Sequence, residues 1–298
     1  MNQITVSKIA SLSGHNDCVY TLESANNSHF FSGAGDGMIA LWDIKNPENG
    51  HLIAKLPNSI YALHRMGNKL VAGHNYDGIH TIDWQEKYEL SSLKVTESAI
   101  FDIKSIKDII LVASGDGEIT AIDGISNVII KKIRNSQQSA RCLAVHPYIS
   151  QFAVGYSDHN VRVFDGNNFE MIHELKAHDN SVFTVQYSPD GTRLISSGRD
   201  AHLKIWNTNK WKVENDTVAH MYAINHVTFN EDGTKYATCS MDKSIKLWDA
   251  YTNQLLKVID KSRHAGHGTS VNKLLWKSET LCSASDDRSI ALWDIQFG

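Results

Sequence analysis

Between Ser181 and Asn207 the chain reads SVFTVQYSPDGTRLISSGRDAHLKIWN, with three runs in which apolar and polar positions alternate. A period of two puts successive side chains on opposite faces of an extended backbone, so each run predicts a β-strand. Turn chemistry separates the runs: Ser188-Pro189-Asp190-Gly191 ends the first, and an Asp-containing segment ends the second. These residues supply the backbone geometry that tight antiparallel connections require. A shorter fourth run follows in corresponding stretches, for example QLLKVID at Gln254 to Asp260. The predicted unit is therefore four antiparallel strands.

The unit recurs. LWD at Leu41 to Asp43 returns as IWN at Ile205 to Asn207, and as LWD at Leu247 to Asp249 and Leu292 to Asp294. Weaker copies lie between: TID ending at Asp83, AID at Asp123 and VFD at Asp165. With Trp42, Ile82, Ile122, Phe164, Trp206, Trp248 and Trp293 as markers, the successive spacings are 40, 40, 42, 42, 42 and 45 residues. A period in this range means one supersecondary unit per repeat, stacked against its neighbours. Seven units span the chain.

With Gly14-His15 and Gly266-His267 ahead of first strands, the close variants Ala177-His178 and Ala219-His220, and WD at third-strand ends, the sequence resembles the WD-repeat family. The resemblance covers essentially all of residues 1–298 and implies an all-β fold, a seven-bladed β-propeller of four-stranded blades in one domain. Only IQFG follows Asp294, and an unattached run, residues 4–13, precedes Gly14. The resemblance makes that run the outer strand of the last blade, closing the ring and removing open strand edges.

Ser, His and Asp residues imitate a catalytic triad, yet the set repeats where a triad would occur once. By resemblance to the family it joins Trp in a structural tetrad: His15, Ser32, Asp36 and Trp42; His178, Ser196, Asp200 and Trp206; His220, Thr238, Asp242 and Trp248; His267, Ser283, Asp287 and Trp293. Each Asp precedes its Trp by six residues. The second to fourth units depart from this pattern. Ile82, Ile122 and Phe164 replace Trp, Val112 and Val154 stand in place of Ser, and no His precedes the first strand. Those blades are expected to rely on apolar packing alone.

Charge and composition narrow the function. The 298 residues carry 29 Lys and Arg against 33 Asp and Glu, a formal charge of −4 with no basic run, which argues against nucleic acid. The four cysteines lack metal-like or disulfide-framework spacing, the first thirty residues lack a signal-peptide pattern, and no membrane-length apolar run occurs. The expectation is a cytoplasmic protein, monomeric by itself, without disulfides, membrane contact, metal or cofactor. GAGDG at residues 33–37 lies between two predicted strands, and GHGTS at 266–270 lacks the Lys of a phosphate loop. His264 and His267 have a metal-compatible spacing, but His267 belongs to a tetrad.

The family's usual binding site is the narrow end of the central channel. Spacing from the GH motif assigns it Tyr20, Tyr61, Phe101, Arg141, Phe183, Asn225 and Asn272, four of them aromatic in a chain that is 9% aromatic. Residues ahead of each tetrad Asp or its counterpart supply a second ring: Gly35, Tyr76, Gly115, Ser157, Arg199, Met241 and Asp286. Aromatics and Arg at a centre ringed by polar groups suit an interaction hot spot. The expected function is a non-catalytic protein-interaction scaffold. Its guest is a peptide or partner loop whose aliphatic or cationic side chain meets the aromatic faces, with Asp286 as counter-charge. Two alternatives stand beside it: an enzyme using Arg141, Arg199, Asp286 and Tyr76, and a subunit of a permanent assembly built on the blade sides or the wide end.

Overall fold

Every repeat closes into a four-stranded antiparallel sheet, and seven such blades form a ring. The computed structural model describes residues 4–48 and 50–298. Blade 1 comprises Val19–Ser24, His29–Ala34, Met38–Asp43 and His51–Lys55 in spatial order. Blades 2 to 6 repeat it over residues 60–94, 100–134, 140–176, 182–218 and 224–259. In blade 7 the outer strand comes from the other end of the chain: Ile4–Leu12 pairs antiparallel with Ile290–Phe297, from Ile4 opposite Phe297 to Leu12 opposite Ile290. The longer spacing between the last two Trp markers is taken up by a helical turn, Lys261–His264, between blades 6 and 7.

The core is a ring of seams. Each of seven apolar clusters joins two neighbouring blades, as where Leu12, Val19, Phe30 and Trp42 pack with Cys282, Ala284, Ile290 and Leu292. The seam between blades 3 and 4 is built likewise around Ala113, Ala140, Phe152, Val154 and Phe164. Innermost strands press on the second strand of the preceding blade, which restricts side-chain size there. A Cβ on Gly73 would lie 2.5 Å from Ile100 Cγ2, and one on Gly33 would lie 2.7 Å from Ile60 Cγ2. At the third seam Ala113 stands where the glycines do, and the facing inner strand brings only Ala140. Paired volumes of this kind maintain close packing at each seam.

Tetrad residues meet as hydrogen-bonded chains in four blades. In blade 6 the Trp248 indole N–H donates to Thr238 Oγ1 at 2.9 Å, Thr238 lies 2.8 Å from His220 Nε2, and His220 Nδ1 lies 2.8 Å from Asp242. Blades 5 and 7 repeat this within 2.8–3.1 Å. Blade 1 is looser at His15–Asp36, 3.3 Å, while Ser32 stays 2.7 Å from both His15 and Trp42. The carboxylates also accept backbone amides of the adjoining turn, as Asp200 does from Asp179 and His202. Burial raises the Asp200 carboxyl, but His178 and those amides outweigh it and bring the group down to about 2.

Apolar packing alone does not hold blades 2 to 4, contrary to the expectation from their missing Trp and Ser. In blade 3, Thr96 Oγ1 and Ser114 Oγ donate to Asp116 at 2.9 and 2.7 Å. In blade 4, Arg162 spans Asp158 and Glu174, 2.7 Å from each, with its guanidinium over the Tyr156 ring. In blade 2, His74 Nε2 accepts the Asn58 amide at 3.0 Å. A valine at the serine position cannot relay a hydrogen bond, so the polar connection between strands moved to other positions. Its need persists because buried polar groups and turn amides must find partners.

Candidate functional site

A β-bulge shapes the start of every inner strand. Pairing with the second strand skips one residue in each blade: Tyr20, Tyr61, Phe101, Arg141, Phe183, Asn225 and Asn272. These are the seven residues of the first predicted ring. A bulged residue leaves the ladder and re-aims its side chain. All seven are half-buried and line one cavity of about 380 Å³ in the channel.

Five of them form a continuous arc. Tyr20 and Tyr61 meet edge to face at 4.6 Å between ring centroids, and Tyr61 stacks on Phe101 at 6.0 Å. The Arg141 guanidinium lies 3.8 Å from the Phe101 centroid and 5.0 Å from that of Phe183. Burial lowers the Arg141 pKa from its ordinary value, and nearby Arg199 acts in the same direction. The remaining two positions join blades. Asn225 Nδ2 donates to Val271 O at 2.8 Å, while Asn272 Nδ2 donates to Val19 O at 3.0 Å and Asp286 Oδ1 at 2.8 Å.

This arrangement leaves less of the aromatic ring open to a cationic side chain than the sequence suggested. The faces of Phe101 and Phe183 are occupied by the protein's own Arg141, and Asp286, assigned as counter-charge, is held by Asn272. A second correction concerns Tyr76. In six blades the second-ring residue, from Gly35 to Asp286, donates its amide to the carbonyl just before the inner strand, as Arg199 does to Ser181 and Met241 to Ala223. In blade 2 the second strand ends at His74, which pairs with Gly78 and puts Asn75 in that place and Tyr76 in that of the tetrad Asp. Tyr76 adopts a left-handed φ of 68°, donates to Ser98 O of the next blade and is 66% exposed. Asp77, the only acidic residue of that turn, thus lies one place beyond the tetrad Asp position.

Deeper in the channel lie charges the repeat pattern did not single out. Asp102, Lys104, His226 and Lys273 line the same cavity. Asp102 accepts amides from Ile103 and Leu143 at 2.9 and 2.8 Å and lies 3.9 Å from Lys104. Burial keeps His226 well below its usual pKa, and His64 near the channel falls to about 3 through burial and then the charge of Lys104. The signal was present in FDIKSI, Phe101 to Ile106: apolar residues face the seams, so Asp102 and Lys104 have only the channel to face.

A methionine and tyrosine rim adjoins the mouth at blade 6. Met221, Tyr222 and Met241 are exposed there, and Ser240 Oγ donates to Tyr222 O. Sequence reasoning included only Met241. Metal-ligand reach occurs elsewhere: donor atoms of His74, Asp77 and His80 lie within 4.8 Å of one another. Burial and His80 keep His74 below its ordinary pKa. Because Nε2 accepts the Asn58 amide, the neutral ring carries its proton on Nδ1, so a donor and not a lone pair faces the group. These residues do not form a three-donor metal set. All four cysteines are free, and no helix of the described residues is long and apolar enough to cross a membrane.

A closed ring of seven four-stranded blades defines a seven-bladed β-propeller. Residues 6–43, 169–207, 212–249 and 259–294, about half the chain, match the WD domain, G-beta repeat model, and the chain belongs to the WD40 family. The matches include the four tetrad Trp residues and pass over blades 2 and 3 and the first three strands of blade 4. The chain is also similar to a striatin homolog of Dictyostelium discoideum, 23% identical over 188 residues, 60% of this chain and 19% of that protein. Similarity to protein groucho of Drosophila melanogaster is 22% over 190 residues, 59% of this chain and 26% of that protein. The mitotic checkpoint protein bub3 of D. discoideum is 26% identical over 188 residues, 56% of each chain. The aligned region thus covers less than two thirds of each relative.

Proposed function

We propose that this propeller is a non-catalytic interaction scaffold that receives a peptide or partner loop at the channel mouth carrying the bulged residues. The observation behind this reading is the half-buried arc Tyr20-Tyr61-Phe101-Arg141-Phe183 around one cavity. Rigid aromatics and arginine in a partly desolvated concavity are the side chains that dominate binding energy at protein interfaces. Exposed Met221, Tyr222 and Met241 extend the apolar area on the same rim. Membership of a family whose propellers are associated with protein assembly also supports it. The repeated Ser-His-Asp sets are spent on Trp and turn amides and leave no free nucleophile-base pair.

Affinity capture with mass spectrometry, comparing wild type with Tyr61→Ala/Phe101→Ala/Phe183→Ala after both are shown to fold, tests the proposal. A partner held by wild type and lost by the variant is expected. Identical partners for both would move the contact to the blade sides or the opposite mouth.

A further inference from the structure

The chain carries a net charge of −4, yet the channel cavity is lined by three cations, Lys104, Arg141 and Lys273, against one carboxylate, Asp102. That carboxylate is already bound by two backbone amides and lies 3.9 Å from Lys104. Arg141 and Lys273 are different. Among the described residues neither has a side-chain hydrogen bond or a carboxylate within ion-pair distance, and the same holds for exposed Arg199 beside Arg141. The Arg141 plane is fixed by the flanking Phe101 and Phe183 rings, leaving the N–H edges of its fork free. Lys273 projects from blade 7, across the channel from blade 4.

An unpaired cation retained in a partly desolvated cavity is unfavourable unless a ligand neutralises it. Burial, the largest cause, lowers the pKa of Lys273 against the opposing charges of Asp102 and Glu23, neither within ion-pair distance of it, and burial lowers that of Arg141 as well. An anion entering the channel would meet the Arg141 fork at the ring of bulged residues and, deeper on the opposite wall of the same cavity, the Lys273 ammonium, both able to give charge-assisted hydrogen bonds. A cationic guest would be repelled by both.

We infer that the channel mouth is an anion receptor, in which Arg141 and Lys273 hold a carboxylate or phosphate group presented by the partner segment while the aromatic arc packs against its neighbours. This rests on the proposed docking at the mouth and adds the chemistry of the guest. Carboxylate and phosphate are the two sources of the required charge, and the Arg141 fork suits either.

The test uses the full chain and immobilised seven-residue peptide pools whose flanking positions are randomised among uncharged residues. The central residue is Glu, phosphoserine, Gln, Lys or Leu. Wild type should retain a Glu or phosphoserine pool about tenfold or more over the Gln, Lys and Leu pools, with retention falling between about 50 and about 300 mM salt. Arg141→Met and Lys273→Met should each remove most of that preference, and Arg141→Lys should restore part of it. Melting curves must first show that the variants fold. Preference for the Glu pool alone assigns a carboxylate, and for the phosphoserine pool alone a phosphate. No preference for either acidic pool, or a preference unchanged in both Met variants, overturns the inference. Uncharged pools held by wild type and lost by the triple aromatic variant would leave docking at the mouth standing while removing its anionic character.

Discussion

Replacing Thr238 by Val isolates what a tetrad contributes. Thr238 is fully buried and joins two groups: the Trp248 indole N–H donates to its hydroxyl at 2.9 Å, and the hydroxyl lies 2.8 Å from His220 Nε2. Valine keeps the β-branched shape and nearly the same volume, so a cavity term is absent and the polar loss stands alone. Two buried groups lose their partner, each at a cost of about 1–3 kcal/mol, which gives about 2–6 kcal/mol for the substitution. Against an overall stability of about 5–15 kcal/mol this is a large fraction. Guanidinium unfolding read by tryptophan fluorescence should show a clear fall in midpoint. Hydrogen exchange at the Trp248 indole N–H, followed by NMR, should accelerate and locate the loss in blade 6. A variant within about 0.5 kcal/mol of wild type, the usual range of an inconsequential surface change, would refute the reasoning. The tetrad would then be no better than the apolar pairings of blades 3 and 4, where Val112 and Val154 already occupy this position.

Three other outcomes follow from the same geometry. Burial lowers His15 and His220 from 6.5 despite their Asp partners, and Asp200 titrates near 2 instead of 3.8. The histidine contribution is complete above about pH 6.5 and lost as pH falls through the folded values, while that of Asp200 is present above about pH 4 and lost toward pH 2. Melting temperature should therefore fall in two stages on acidification, and a flat profile from pH 7 to 3 would contradict these shifts. Gly73→Val should destabilise by about 1–3 kcal/mol or more, because even its Cβ would sit 2.5 Å from Ile100 Cγ2; unchanged denaturant unfolding would show that the seam yields. Removing residues 1–12 strips the strand paired with Ile290–Phe297 and exposes that edge, so the truncated chain should melt lower and self-associate in light scattering, whereas unchanged melting and mass would refute closure by this strand.

The period-two alternation and the recurring Trp-Asp ends determined the four strands per unit and the seven repeats, while the resemblance to the WD-repeat family implied the closed ring and the strand borrowed by blade 7. Spacing also found all seven bulged residues, since each bulge occupies the same place in its repeat. Tertiary structure decided how those residues are used. Arg141 covers aromatic faces of the ring, and two asparagines clasp neighbouring blades, because contacts around the ring join residues from about 40 to 253 positions apart that no local pattern relates. Blade 2 shifted Tyr76 by one place through its own turn geometry. In blades 3 and 4 the polar connection moved to Thr96, Ser114 and Arg162, since burial imposes the need for partners without dictating which residue supplies them.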